Sequence, residues 1–486
     1  MKISDDVVEA AESLLEHLES HDEVAYGEVG AISQSKCDIA AAGQSIQRSS
    51  CISDSGIWCR VFSDGAAGYR YTANLDNIDN IASFARKRAQ VLGQSVPAKY
   101  DVVTVNQCSH NGWTINNTND QISTDTKVEI IERSLNNIDD NIRTYYEDVT
   151  REDYILTTTG SHVRTSVDRN WCEAHRKVTL SDGSGIKIRQ QNGTTRGIEG
   201  PETDLIKNTV SELSDQGSRM SQHPTTNVTG TRSAVLSGSV AAHVFHQFMR
   251  YLEMDMIYFG SSPVDIGTKL LSDKINISDT VEPGNWAAIG FDGEGKPTSP
   301  TNLIVNGVVV NRLHSTVTAL DQNEQPRGNY ILSIDPKFPP RIHSRHIDVD
   351  PGERCLNDML EISDIFVVSV GSPEFKNEAT EIKQSSRMPP CALYAKDIAD
   401  QTPNNHRDEQ TNQSISFPIT EGYILRDGKK ESLLVDASLV ISLGDLQRVG
   451  GVGTRRSTVD GKCTKHNSKI PFSATAPPIR MDLCIA

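Results

Sequence analysis

Residues 56–75 read GIWCRVFSDGAAGYRYTANL. Ile57, Cys59 and Val61 alternate with Trp58, Arg60 and Phe62, which is the period of a strand. Asp64-Gly65 is a tight-turn pair, and Tyr69 and Tyr71 continue on its far side, so the stretch predicts a β-hairpin. Over residues 75–94 the period lengthens. Ile78, Ile81, Ala82, Ala85, Ala89 and Leu92 recur at helical spacing. Hairpin and helix side by side set the class as α+β.

The rest of the chain extends that reading. An apolar stripe of Val7, Ala10, Ala11, Leu14, Leu15 and Leu18 predicts a first helix over 4–20, with Ser4 as its cap. Val128, Ile131, Leu135 and Ile138 predict a helix over 124–138. From 153 to 197, short strands broken by Gly160, Asp182-Gly183 and Asn192-Gly193 read as an antiparallel meander. A helix over roughly 202–214 follows, then a polar, turn-rich run, DQGSRMSQHPTTNVTGT, at 215–231. The domain boundary is placed there, giving an N-terminal α+β domain over 1–220 and a β-rich C-terminal domain over 221–486. The second half offers a strand at SAVLSG, a hairpin at Asn306-Gly307 and another at Asp427-Gly428. Residues 372–413 are polar and contain proline, and read as a long exposed insertion.

With 486 residues, two domains are the natural division. A hydrophobic share of 36% beside 23% charged residues suits a globular chain. No apolar run is long enough to span a bilayer, so no membrane partner is expected. The opening MKISDDVVEAAESLLEHLES has no apolar core of a secretory signal, and a cytoplasmic location is expected. The nine cysteines include no CxxC pair, and most are expected as free thiols. A net charge of −16 without a basic face argues against direct nucleic-acid binding.

Three stretches carry groups suited to chemistry. AAHVFHQFMRYLEMD, 241–255, predicts a helix with Ala241, Val244, Phe245, Phe248, Tyr251 and Leu252 inward; His243, Gln247, Arg250 and Met254 lie opposite, and His246 at the edge. GKCTKHNSKIPFSATAPPIRMD places Cys463 three residues before His466, by itself a weak metal signal. HSRHIDVD, 343–350, holds two histidines and two aspartates, and reads first as a polar strand edge. No glycine-rich phosphate loop and no G-x-S-x-G nucleophile turn is present.

These pieces, in this order, resemble the TldD/PmbA family of zinc metallopeptidases, in which PmbA is also called TldE. The resemblance rests on SGIWCRVFSDGAAGYRYTANLD, SVAAHVFHQF, KLLSDKINISD, GFDGEGKPTSPTNLIVNGVVVNRLHSTVTA, PPRIHS, ITEGYILRDGKK and the closing stretch around Cys463. It implies a dimer, homo- or hetero-, enclosing a chamber that cleaves peptides and unfolded segments. It also implies a zinc ion on a helical His-Glu-x-x-x-His motif with a C-terminal cysteine. Carried over, the motif falls on His246, Gln247 and Tyr251, and the cysteine on Cys463. Gln247 cannot accept and return a proton as the family glutamate does. Tyr251 is a poor zinc ligand while its phenol stays protonated. The resulting expectation is a non-catalytic, TldE-like subunit with no zinc bound. Two alternatives stand beside it. One is a peptidase with an altered site; apart from it, His243, His246, Cys463 and His466 offer a four-ligand set for a structural metal site with no open position. The other is a peptide-binding or regulatory protein that has left proteolysis.

Overall fold

The computed structural model describes residues 2–63, 65–75, 78–94, 113–114, 122–196, 204–255, 264–376 and 414–486. The expected insertion near 372–413 lies outside the described residues beyond Lys376, as do Asp64 of the first turn and two cysteines, Cys108 and Cys391.

The hairpin of the opening stretch is present. Strands β2 (Ser45–Ser63) and β3 (Ala66–Thr72) pair antiparallel, Ser63 facing Ala66. They belong to a sheet ordered β3-β2-β1-β5-β6-β4, with β7 also on β6. Its other strands are β1 (Tyr26–Ala42), β4 (Trp113–Thr114), β5 (Arg143–Thr157), β6 (His162–Thr179) and β7 (Gly185–Thr194). The predicted meander is β5 to β7. Strand β2 runs longer than its pattern suggests because residues 45–55 are mostly exposed and polar, which leaves no alternation to read.

Helix α1 (Asp5–Glu19) buries the stripe expected of it, and packs with α2 (Ile78–Gly93) on this sheet. Ser4 holds its N-cap position, although the hydroxyl makes no capping bond. Helix α3 (Thr124–Ser134) is capped by Ser123, whose side chain accepts from Thr126 N–H. Helix α4 (Leu205–Ser221) overruns the predicted end, so 215–221 is helical and not linker; Gln216, Gly217 and Met220 are buried against the sheet. Those small and polar residues hide a helical face that a hydrophobic count passes over.

The second half holds two larger sheets. One is ordered β12-β11-β10-β15-β23-β22, from β10 (Ile277–Thr280), β11 (Thr301–Val305), β12 (Val308–Val309), β15 (His346–Val349), β22 (Ser457–Lys465) and β23 (Ser468–Ala476). The other is built on β8 (Thr225–Thr226), β9 (Gly230–Leu236), β16 (Ile365–Val370), β18 (Ser414–Arg426), β19 (Lys429–Leu434), β20 (Ser438–Ser442) and β24 (Ile479–Ile485), with β17 (Glu374–Lys376) and β21 (Gly451–Val452) at its margins. A short ribbon pairs β13 (Tyr330–Ile331) with β14 (Arg341–Ile342). The predicted Asn-Gly and Asp-Gly turns form, with both residues at positive φ: Asn306 and Gly307 at 49° and 73°, Asp427 and Gly428 at 51° and 73°.

Helix α5 (Gly238–Met249) runs through the middle of the second half. Ser237 caps it by accepting from Val240 N–H at 3.2 Å. Its apolar residues join the largest core, with Leu236, Leu303, Ile347, Phe417 and Ile479 among many others. The helix is not the amphipathic surface helix that the sequence predicts. Its polar side, His246 and Gln247 included, is turned inward on β22 and β23. A Cβ at Gly238 would stand 2.6 Å from the Ala476 carbonyl, so glycine admits the helix start this close to β23.

Candidate metal centre

Four segments converge at the C-terminal end of α5. The helix supplies His246 and Gln247. The turn after β14 supplies His343, and β22 supplies Cys463 and Lys465. Glu253 follows the 3-10 turn Arg250–Leu252 that closes the helix. The segments lie far apart in sequence; parallel pairing of β15 with β23 and antiparallel pairing of β22 with β23 hold them in register.

Among the described residues, His246, His343 and Cys463 form a group whose ligand-type atoms all lie within 4.8 Å of one another, each residue buried. His246 is fully buried and neither ring nitrogen has a hydrogen-bond partner in the protein. Its ring stacks on Phe472, centroids 3.6 Å apart and 10° from parallel. Gly461, opposite Phe472 on the paired strand, leaves that ring room, since a Cβ there would meet it at 2.2 Å. His343 donates through Nδ1 to the Ser344 carbonyl at 2.6 Å. That fixes the proton on Nδ1, and Nε2, which makes no hydrogen bond, keeps its lone pair.

The charges respond to this packing. Burial first, then His343, Arg250 and His243, hold the His246 pKa well below its ordinary value, so the ring is neutral and ready to ligate. Burial opposes charge on His343, but Glu253 and Cys463 together raise its pKa. Burial likewise opposes the Cys463 thiolate, and His343 outweighs it and lowers that pKa. Without a metal these shifts favour a Cys463 thiolate beside a charged His343; a metal takes the thiolate and the neutral imidazole, so binding it displaces the His343 proton.

The other expected residues fall elsewhere. His243 is partly buried, its ring 6.4 Å from that of Phe472, and lies outside the group. His466 also lies outside it; with Asn467 it makes the β22–β23 turn, at φ 47° and 66°. Gln247 is buried with its Oε1 lacking a hydrogen bond. Tyr251 sits in the 3-10 turn, stacked on Phe248 at 6.1 Å and packed against the main core. His343 was visible only as one member of a polar stretch. Nothing in HSRHIDVD separates it from His346, which is taken up by Thr475 at 2.8 Å and Asn285 at 2.9 Å.

Two family profiles match, the PmbA/TldA metallopeptidase domain 1 over residues 27–89 and the PmbA/TldA metallopeptidase C-terminal domain over 229–381. The chain belongs to the TldD/PmbA family. A metalloprotease of Synechocystis is 26% identical over 225 residues, which cover 44% of this chain and 47% of that protein. The match thus spans about half the length of that curated relative. TldE from Thermococcus kodakarensis superposes with a TM-score of 0.69 at 14% identity, over 98% of this chain and 100% of that one. A protein from Thermotoga maritima described as a candidate modulator of a DNA gyrase gives 0.68 at 15%, over 99% and 100%. At these identities the two structures show the α+β fold. Among the described residues, no helix is long and apolar enough to cross a membrane.

Proposed function

We propose that this chain is a metal-holding, non-hydrolytic subunit of a TldD/PmbA-type peptidase, acting on peptides together with a second subunit that carries the intact His-Glu-x-x-x-His motif. The observation that carries the reading is the pairing of a buried His246–His343–Cys463 group with an amide, Gln247, where the family places its base. The donor set suits zinc, which accepts imidazole and thiolate together. The unpartnered nitrogens of His246 and His343 support the fit, because a buried imidazole without a partner is costly unless something fills its lone pair. Zinc at these residues supplies a Lewis acid. Water on it would still need a group to take its proton, and Gln247 has no basic site near neutral pH.

In this reading the chain shapes or closes a peptide chamber in a dimer, homo- or hetero-, and a cytoplasmic setting is compatible with it. The test is cleavage of an unfolded peptide by the purified chain. The expected result is a zinc-loaded but inactive protein. Chelator-sensitive cleavage that disappears in Cys463→Ala would overturn it. That outcome would favour a second reading, an altered-site peptidase. One observation speaks for this second reading: three protein ligands leave a fourth zinc position free, as catalytic sites do.

A further inference from the structure

Three protein ligands need a fourth group, either water or a side chain. Glu253 stands beside His343, outside the group of three whose ligand atoms lie within 4.8 Å of one another. Its side chain is fully buried, and Oε1 lies 3.9 Å from His343 Nε2 with no hydrogen bond of its own. Ligand atoms of a tetrahedral zinc stand roughly 3.3–3.8 Å apart, given metal–ligand lengths of about 2.0–2.3 Å. The observed separation is therefore close to that of two ligands on one ion.

The other carboxylate oxygen is anchored. Oε2 accepts from Lys465 Nζ, a fully buried ammonium that also donates to Asp255 Oδ1 at 2.6 Å and to the Ile342 carbonyl at 2.7 Å. Asp255 gives the ammonium a second carboxylate, so Lys465 does not depend on Glu253 alone. One oxygen held from behind and the other left bare is how a ligating carboxylate is oriented by its surroundings. His343 is arranged the same way, tied at Nδ1 and bare at Nε2.

We infer that Glu253 is the fourth ligand of a closed His246–His343–Cys463–Glu253 metal site, oriented by Lys465. The site takes a borderline divalent cation of the zinc type, and has no place for a reacting water. This deepens the reading above and rests on its metal site: a family position built for hydrolysis has become a structural clasp joining α5, β22 and the β14–β15 turn. It gives a physical reason for an amide to be tolerated at Gln247, since a closed site has no water to deprotonate.

The test uses the full chain loaded with cobalt(II) as the zinc stand-in. Water-proton relaxation should show no exchangeable inner-sphere water on the wild type, and the visible spectrum should be that of a four-coordinate ion with a thiolate ligand. Glu253→Gln should weaken zinc by at least about tenfold in a chelator competition and admit one water to the cobalt. Glu253→His, which restores a ligand but not the Lys465 ion pair, should recover zinc affinity. An exchangeable water on the wild-type ion, or unchanged affinity and spectrum in Glu253→Gln, overturns the fourth ligand and leaves the three-ligand site standing. A wild type that binds no cobalt or zinc removes the metal reading itself. If Glu253→Gln does not fold, the relaxation measurement on the wild type still decides.

Discussion

Two buried polar clusters hang on one short segment, 343–346, and they are built in opposite ways. Asp279 is fully buried, yet accepts from Arg345 N–H at 2.8 Å, Arg345 Nε at 3.0 Å, Arg345 guanidinium at 2.7 Å, His346 N–H at 3.1 Å and Asn329 at 2.7 Å. That cluster is complete within the protein. Three residues earlier, His343 faces His246 and Cys463; neither His246 nitrogen nor His343 Nε2 carries a hydrogen bond, and the His343 ring is tied only at Nδ1. A fold that satisfies one carboxylate five times has the means to satisfy an imidazole. Bare His246 nitrogens and a bare His343 Nε2 at one spot, beside a thiol, fit a place for a ligand that the chain itself does not supply.

The contrast can be broken by mutation. Asp279→Ala strands the Arg345 charge in the interior and should lower stability by about 3–5 kcal/mol, read from the shift of the urea midpoint. Zinc at about a hundredfold above its dissociation constant should raise stability by roughly 2.7 kcal/mol, and a chelator should reverse the gain. No change on adding zinc would remove the distinction between the clusters.

The third effect is smaller and depends on pH. Burial holds the pKa of His243 down to about 4, and burial with Arg341 does the same for His466. The unfolded chain protonates both near their ordinary value of about 6.5. Between these limits the unfolded state binds more protons, so stability of the metal-free protein should fall as pH drops from about 6.5 to about 4. His243→Gln should flatten that slope by about 1–2 kcal/mol, after allowance for the partial exposure of the ring. An unchanged slope would show that His243 binds its proton alike in the folded and unfolded chain.

His246→Leu should have the smallest effect on the metal-free protein, within about 1 kcal/mol of wild type or slightly stabilising, because it replaces an unpartnered polar ring by an apolar group. The same change should abolish zinc binding. A loss as large as that of Asp279→Ala would mean that His246 is a structural hydrogen-bonding residue after all.

Much of the fold was legible because local pattern and tertiary role coincide. The stripe of α1, the β2–β3 hairpin and the Asn306-Gly307 and Asp427-Gly428 turns each follow from spacing and turn chemistry alone. The polar half of β2 and the last turns of α4 were not, since exposed strand and small-residue helix faces carry no hydrophobic period. Of the site, His246 and Cys463 could be named from family position. His343 could not, because its distance to His246 is set by pairing between strands over a hundred residues apart, β15 with β23. Position 247 read the other way round: its chemistry was plain in the sequence, while its burial was not, because the helix looks amphipathic and yet buries Gln247 on the face expected to be polar.

The central claim is that His246, His343 and Cys463 together hold one metal ion. Zinc content of the purified full chain, measured after dialysis against metal-free buffer, tests it most directly. The account predicts one zinc per wild-type chain and none in His343→Ala. A wild type without zinc, or a His343→Ala variant that keeps its full share, would contradict it.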